Sequence, residues 1–206
     1  EQGYSESQVQ LAYIHEVGMG VPRSEMQSLY WYRKAAESEN ALAEYNVGRF
    51  YFHGLGTTPK YEEAFMWFSR AANQGIVSAQ YNLGVMYEKG LGTQIKLSEA
   101  ARWYATAANQ GYASAQYMLS LLYERGEGVA RNIQESARWR RMAAEGGVQD
   151  AQMQIAKMYR DGIGVPESLA RAYAWYNVVA ATGNEDAVNA RDFLRAEMTP
   201  DQLAEG

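Results

Sequence analysis

Apolar positions along the chain follow a helical beat. In residues 79 to 111, Ala79, Leu83 and Tyr87 fall four apart, with Gly84 beside Leu83. That spacing predicts one buried face of a helix. Gly90 can take the left-handed conformation that closes a helix. After a short loop through Gly92, a second stretch carries Leu97, Ala100, Trp103, Tyr104, Ala107 and Ala108 at three- and four-residue spacing, and stops near Gly111. The block reads as helix, glycine turn, helix, glycine turn.

The same block recurs every 36 residues. Gly18-Met19-Gly20, Gly54-Leu55-Gly56, Gly90-Leu91-Gly92, Gly126-Glu127-Gly128 and Gly162-Ile163-Gly164 mark the turns, and Trp31, Trp67, Trp103, Trp139 and Trp175 follow in step. The first helix repeats an apolar position (Leu11, Val47, Leu83, Leu119, Ile155) and a small neighbour (Ala12, Gly48, Gly84, Ser120, Ala156). A small residue there lets the paired helices approach closely. An aromatic position one turn later reads His15, Tyr51, Tyr87, Tyr123, Tyr159. A fixed period in this range means stacked copies of one supersecondary unit, each burying its apolar faces against its neighbours. The expected fold is all-α: a right-handed α/α superhelical solenoid of five repeats (about 4–39, 40–75, 76–111, 112–147 and 148–183) with a C-terminal cap at 184–206, forming a single repeat domain.

Local signals refine the ends. Asn132 and Ser168 can cap second helices, whereas Lys60 and Lys96 in the same register cannot. Thr199-Pro200-Asp201-Gln202 reads as a late helix start, with Thr as cap, Pro first and Gln third. Glu1-Gln2-Gly3 lies in register with Asn73-Gln74-Gly75, as if the chain began on the end of an earlier repeat of a longer array.

The combination Leu83-Gly84-x-x-Tyr87, Ala100-x-x-Trp103-Tyr104 and Ala107-Ala108-x-x-Gly111 resembles the Sel-1-like repeat, a bacterial relative of the tetratricopeptide repeat. The tetratricopeptide unit is about 34 residues long and shares the Leu-Gly-x-x-Tyr core; here the extra length sits in the Gly-x-Gly loop. The resemblance covers residues 4 to 183 and implies a non-enzymatic scaffold or adaptor that holds a protein or peptide in a concave groove lined by first helices.

Composition narrows the chemistry. The net charge of -5 gives no basic surface for nucleic acid. No apolar run of about 18 residues suggests a membrane span. Cysteine is absent, which removes disulfides, thiolate metal sites and a cysteine nucleophile. The compartment stays open, an exported or periplasmic setting being preferred over the cytoplasm. The glycine steps have neither the preceding strand nor the Lys-Ser or Lys-Thr of a phosphate loop. Two histidines, His15 and His53, do not make a zinc site. No catalytic residue, metal or cofactor is expected.

With registers 11, 12 and 15 of the first helix facing the core, registers 9, 13 and 16 point away, and 17 lies at the edge. The expected partner-binding residues are Tyr13, Tyr45, Arg49, Phe52, His53, Tyr81, Val85, Tyr117 and Leu121. Repeat 2 departs most from the pattern: Phe52 stands where other copies carry Glu or Arg, and it is expected to be exposed. Such an aromatic strip suits a peptide or helix. The alternative occupant is a cell-wall glycan or small molecule stacked on the same rings; a hydrolase has no supporting motif.

Overall fold

The computed structural model describes residues 2–205, with side chains from 4 to 204; the repeat end expected at Glu1-Gln2-Gly3 falls outside those side chains. The described residues are all-helical: α1 (Gln2–Val17), α2 (Glu25–Ala36), α3 (Ala41–His53), α4 (Tyr61–Asn73), α5 (Val77–Lys89), α6 (Leu97–Asn109), α7 (Ala113–Arg125), α8 (Ile133–Glu145), α9 (Gln149–Asp161), α10 (Leu169–Ala180), α11 (Glu185–Glu197) and α12 (Pro200–Glu205). Odd-numbered helices from α1 to α9 are the first members of the five pairs, and even-numbered helices from α2 to α10 the second. The chain falls into two compact units, residues 1–106 and 107–206, and each contains its own apolar cluster.

The small position of the first helix works as expected. A Cβ on Gly48 would lie 2.7 Å from the Phe68 ring, and one on Gly84 would lie 2.6 Å from the Tyr104 ring. Any larger side chain would push the paired helices apart. The two glycines of each turn have different tasks. Gly90, at φ 67, caps α5 in the left-handed region, where L-residues are disfavoured. Gly92 lets the turn press on the preceding repeat, since a Cβ there would sit 2.2 Å from the Tyr61 carbonyl oxygen at the start of α4.

Capping follows the sequence reading. Asn132 accepts from the amides of Gln134 and Glu135, Ser168 accepts from Arg171, and Lys60 makes no side-chain cap. At α12, Thr199 accepts from the Gln202 amide while Gln202 accepts from the Thr199 amide, the reciprocal capping box.

The repeated tryptophans are not equally deep. Trp103 and Trp139 are buried, but Trp31, Trp67 and Trp175 are only partly covered. Arginines lie over three of the indoles, Arg70 on Trp67, Arg102 on Trp103 and Arg138 on Trp139, at 4.5 to 4.9 Å. The deepest aromatic is the next residue. Tyr32, Phe68, Tyr104 and Tyr176 are all at most 2% exposed.

Candidate functional site

That deep position, register 32, reaches back across the helix pair to register 16. In repeats 1 to 4 the two residues change together. In repeat 1 the Tyr32 hydroxyl donates to Glu16 at 3.0 Å, and in repeat 3 Tyr104 donates to Glu88 at 2.7 Å. In repeat 4 the partner is Arg140, 2% exposed, which donates to Glu124 at 2.7 Å. In repeat 2 neither residue is polar: the Phe52 and Phe68 rings lie 6.1 Å apart. Burying a polar group needs a partner, so loss of the hydroxyl at Phe68 goes with loss of the carboxylate at register 16.

This corrects the expectation for Phe52. It is not the fully exposed aromatic that its register suggested. It is half-buried and packs on Phe68 and on Tyr61, whose ring centroid lies 5.6 Å away. Reading register 16 alongside register 32 in the sequence would have revealed the pairing. His53 is exposed at the end of α3, with its ring edge-on to Phe52.

Beside this series, α1 and α3 enclose an open cleft of about 660 Å³. Its apolar walls include Val9, Tyr13, Met19, Leu42 and Tyr45, and its polar floor is Glu16, Tyr32, Asn46 and Arg49. Three expected residues, Tyr13, Tyr45 and Arg49, thus come together. Tyr13 is 52% exposed, while Tyr45 is half-buried on the Phe68 ring. The floor is internally satisfied. Arg49 donates to Glu16 from across the repeat boundary and to Asn46 at 3.3 Å. Glu16 in turn accepts from Tyr32. Burial, and then the Glu16 carboxylate, push the Tyr32 hydroxyl well above the ordinary tyrosine range, so it stays a donor.

The remaining expected residues are outside this cleft. Tyr81 packs on Tyr104 and is half-buried, as is Val85. In the second unit, Leu121 is half-buried, and the half-buried Tyr117 accepts from Gln154 at 2.9 Å. The sequence reading missed Met19 and Leu42, which sit in a turn and at a helix start outside the registers considered.

The equivalent cleft three repeats on, between α7 and α9, has another character. Its lining is Glu124, Arg140, Gln154, Lys157, Met158, Asp161 and Ile163, around about 300 Å³. Lys157 stands at the position of Arg49, Leu121 at that of Tyr13, and Asp161 at that of His53. The hydrogen bond from Arg140 holds the Glu124 carboxyl below its usual range. Among the described residues, no group of three or more His, Asp and Glu could hold a metal ion, and no helix is long and apolar enough to cross a membrane.

An array of glycine-separated helix pairs with open clefts between first helices defines a helical-repeat protein. The chain belongs to the Sel1 repeat family, whose model matches residues 5–40, 41–76, 77–112, 113–148 and 149–178. It is similar to c5321, a protective antigen of uropathogenic Escherichia coli strains with an SLR fold, at 35% identity and a TM-score of 0.87. That match covers 90% of this chain and 40% of the antigen. A Sel1 repeat protein from Oxalobacter formigenes matches at 33% identity and a TM-score of 0.81, over 91% of this chain and 74% of the other. The immunity protein Pa5087 of Pseudomonas aeruginosa shares the fold at 18% identity, with a TM-score of 0.53 over 89% of this chain and 68% of its own. No curated protein gives a significant match. Sel1 repeat proteins generally mediate protein–protein interactions and are generally scaffolds rather than enzymes.

Proposed function

We propose that this chain is a non-enzymatic binding module whose partner, a peptide or protein, seats an uncharged apolar side chain in the cleft between α1 and α3. The observation that carries this reading is the cleft itself: open, apolar-walled, and with both charged lining groups, Glu16 and Arg49, already paired. A charged side chain entering it would break that pair or lose its own hydration. An apolar one would cover the exposed Tyr13, Met19 and Leu42 at no such cost. Tyr45 forms part of the wall and Arg49 part of the floor, and His53, Tyr81, Val85, Tyr117 and Leu121 are further candidates for contact along the first helices.

The test is a photo-crosslinking residue placed at Tyr13, with Lys157 as the control position. Crosslinking to one protein from Tyr13, and loss of affinity for that protein in a Tyr13→Ser, Met19→Ser, Leu42→Ser variant, are the expected results. Truncating the centre of such an interface costs roughly 2 kcal/mol or more in all. Undiminished affinity in the triple variant refutes the assignment. Saturable calorimetric binding of cell-wall glycan fragments, without a protein crosslink, would favour the alternative in which Tyr13 stacks on sugar.

A further inference from the structure

The series formed by registers 16 and 32 has one member that does not close. In repeat 5, register 32 is Tyr176 and register 16 is Arg160. A hydroxyl donor therefore faces a cation instead of a carboxylate. The Tyr176 side chain is fully buried, and its hydroxyl has no hydrogen-bond partner among the described residues. Arg160 has turned aside to its neighbour Asp161, donating from Nε at 2.7 Å and Nη2 at 2.9 Å.

Repeat 1 shows what completes such a pair. There the register-16 carboxylate, Glu16, lies between a register-32 hydroxyl, Tyr32, and Arg49 of the next repeat, at register 13. In repeat 5 the arginine occupies register 16 itself, so the hydroxyl has a cation beside it and no carboxylate acceptor. We propose that Tyr176 and Arg160 form a binding site for the carboxylate of a ligand, which supplies the acceptor that Glu16 and Glu88 supply in their own repeats.

The chemistry suits a planar two-oxygen anion. One oxygen accepts from the Tyr176 hydroxyl and the other from the Arg160 guanidinium, whose fork matches carboxylate geometry. Among the described residues Arg160 is held by an exposed pair with its neighbour Asp161, which is weak and readily exchanged. The Tyr176 hydroxyl is itself buried, so a carboxylate reaches it through local opening of the packing around it. This site lies wholly in the second unit and does not depend on the reading of the α1–α3 cleft.

Propionate, which carries the end of a glutamate side chain, is the direct probe, and propionamide is its uncharged control. The experiment is an NMR titration of the intact chain, following the tyrosine rings and the arginine Nε–H signals. Saturable shifts at Tyr176 and Arg160 with propionate, absent with propionamide, are expected. Tyr32 should not respond, because its carboxylate is already in place. Tyr176→Phe should weaken binding by about tenfold, the loss of one hydrogen bond to a charged group. Arg160→Glu restores the carboxylate of repeats 1 and 3, so it should abolish propionate binding and raise the melting temperature. No saturable shift, an equal response to propionamide, or undiminished binding by either variant would overturn the proposal.

Discussion

The junction between repeats 1 and 2 and the junction between repeats 4 and 5 occupy identical registers but follow different rules. In the second, the scaffold is regular. Gly147 takes the left-handed turn at φ 87, and Gln152 donates to the Ala144 carbonyl at 3.1 Å to tie the new repeat to the old. Gln80 and Gln116 make the same tie. In the first junction both devices are altered. Glu39 holds the left-handed turn at φ 55 where later repeats have glycine. Glu44, 2% exposed, stands in place of the glutamine and accepts from Gln74 at 2.7 Å. The irregular junction carries the apolar cleft, and the regular one carries the charged cleft. Local rules tend to be broken where function imposes another demand, which independently directs attention to repeats 1 and 2.

The largest expected effect concerns the cleft floors. Tyr32→Ala removes a buried aromatic and should cost about 3–5 kcal/mol, measured by urea denaturation. Arg140→Ala should cost less, about 1–3 kcal/mol, because its partner Glu124 is 40% exposed and water can take it over. Equal losses would erase the distinction between an aromatic and an ionic floor.

Binding comes next. The Tyr13→Ser, Met19→Ser, Leu42→Ser variant should bind a verified partner at least about 10–100-fold more weakly, or roughly 1.4–2.8 kcal/mol, with its helix content intact. Lys157→Ala, in the equivalent cleft, should leave the affinity unchanged. A matching loss from both would show that the two clefts act alike.

The pH dependence of the two junctions should have opposite sign. Burial raises the Glu44 carboxyl above its ordinary 4.5, against the pull of the Gln74 hydrogen bond and Arg70, with Glu39 adding to the rise. Its stabilising contribution is therefore complete below 4.5 and is lost as pH rises through the raised folded value. Glu44→Gln should then stabilise the protein at pH 7 by about 1 kcal/mol, one hydrogen bond, and the gain should shrink as pH falls towards 4.5. Glu124 behaves in the other sense. Arg140 lowers its value, so its contribution is present above 4.5 and disappears as pH falls through the lowered folded value. Denaturation curves at several pH values, with Glu44→Gln and Arg140→Met compared, would expose a common sign if this account is wrong.

The smallest effect is at the turn. Glu39→Gly should stabilise by about 0.5–1 kcal/mol, the left-handed strain relieved less the added chain entropy. A destabilised variant would mean that the Glu39 side chain supports the junction.

Much of the fold was legible because a repeat states its pattern five times. Glycine turns, caps and the small position beside the core all follow from local sterics and hydrogen bonding. The cleft was legible in part: Tyr13, Tyr45 and Arg49 could be placed by helical angle alone. Phe52 was misread because its environment depends on a residue 16 positions away on another helix. Met19 was missed because a turn residue has no helical angle to project.

The amino-acid sequence by itself determined the helix pairs, their boundaries and their period, since each rests on interactions spanning a few residues. Tertiary structure alone decided which side chains meet across a pair and which donors are left without acceptors. It showed that register 16 answers to register 32, that Glu16 draws in Arg49, and that Tyr176 has no partner among the described residues. Those outcomes depend on close packing and on desolvation of polar groups, which arise only when the helices come together.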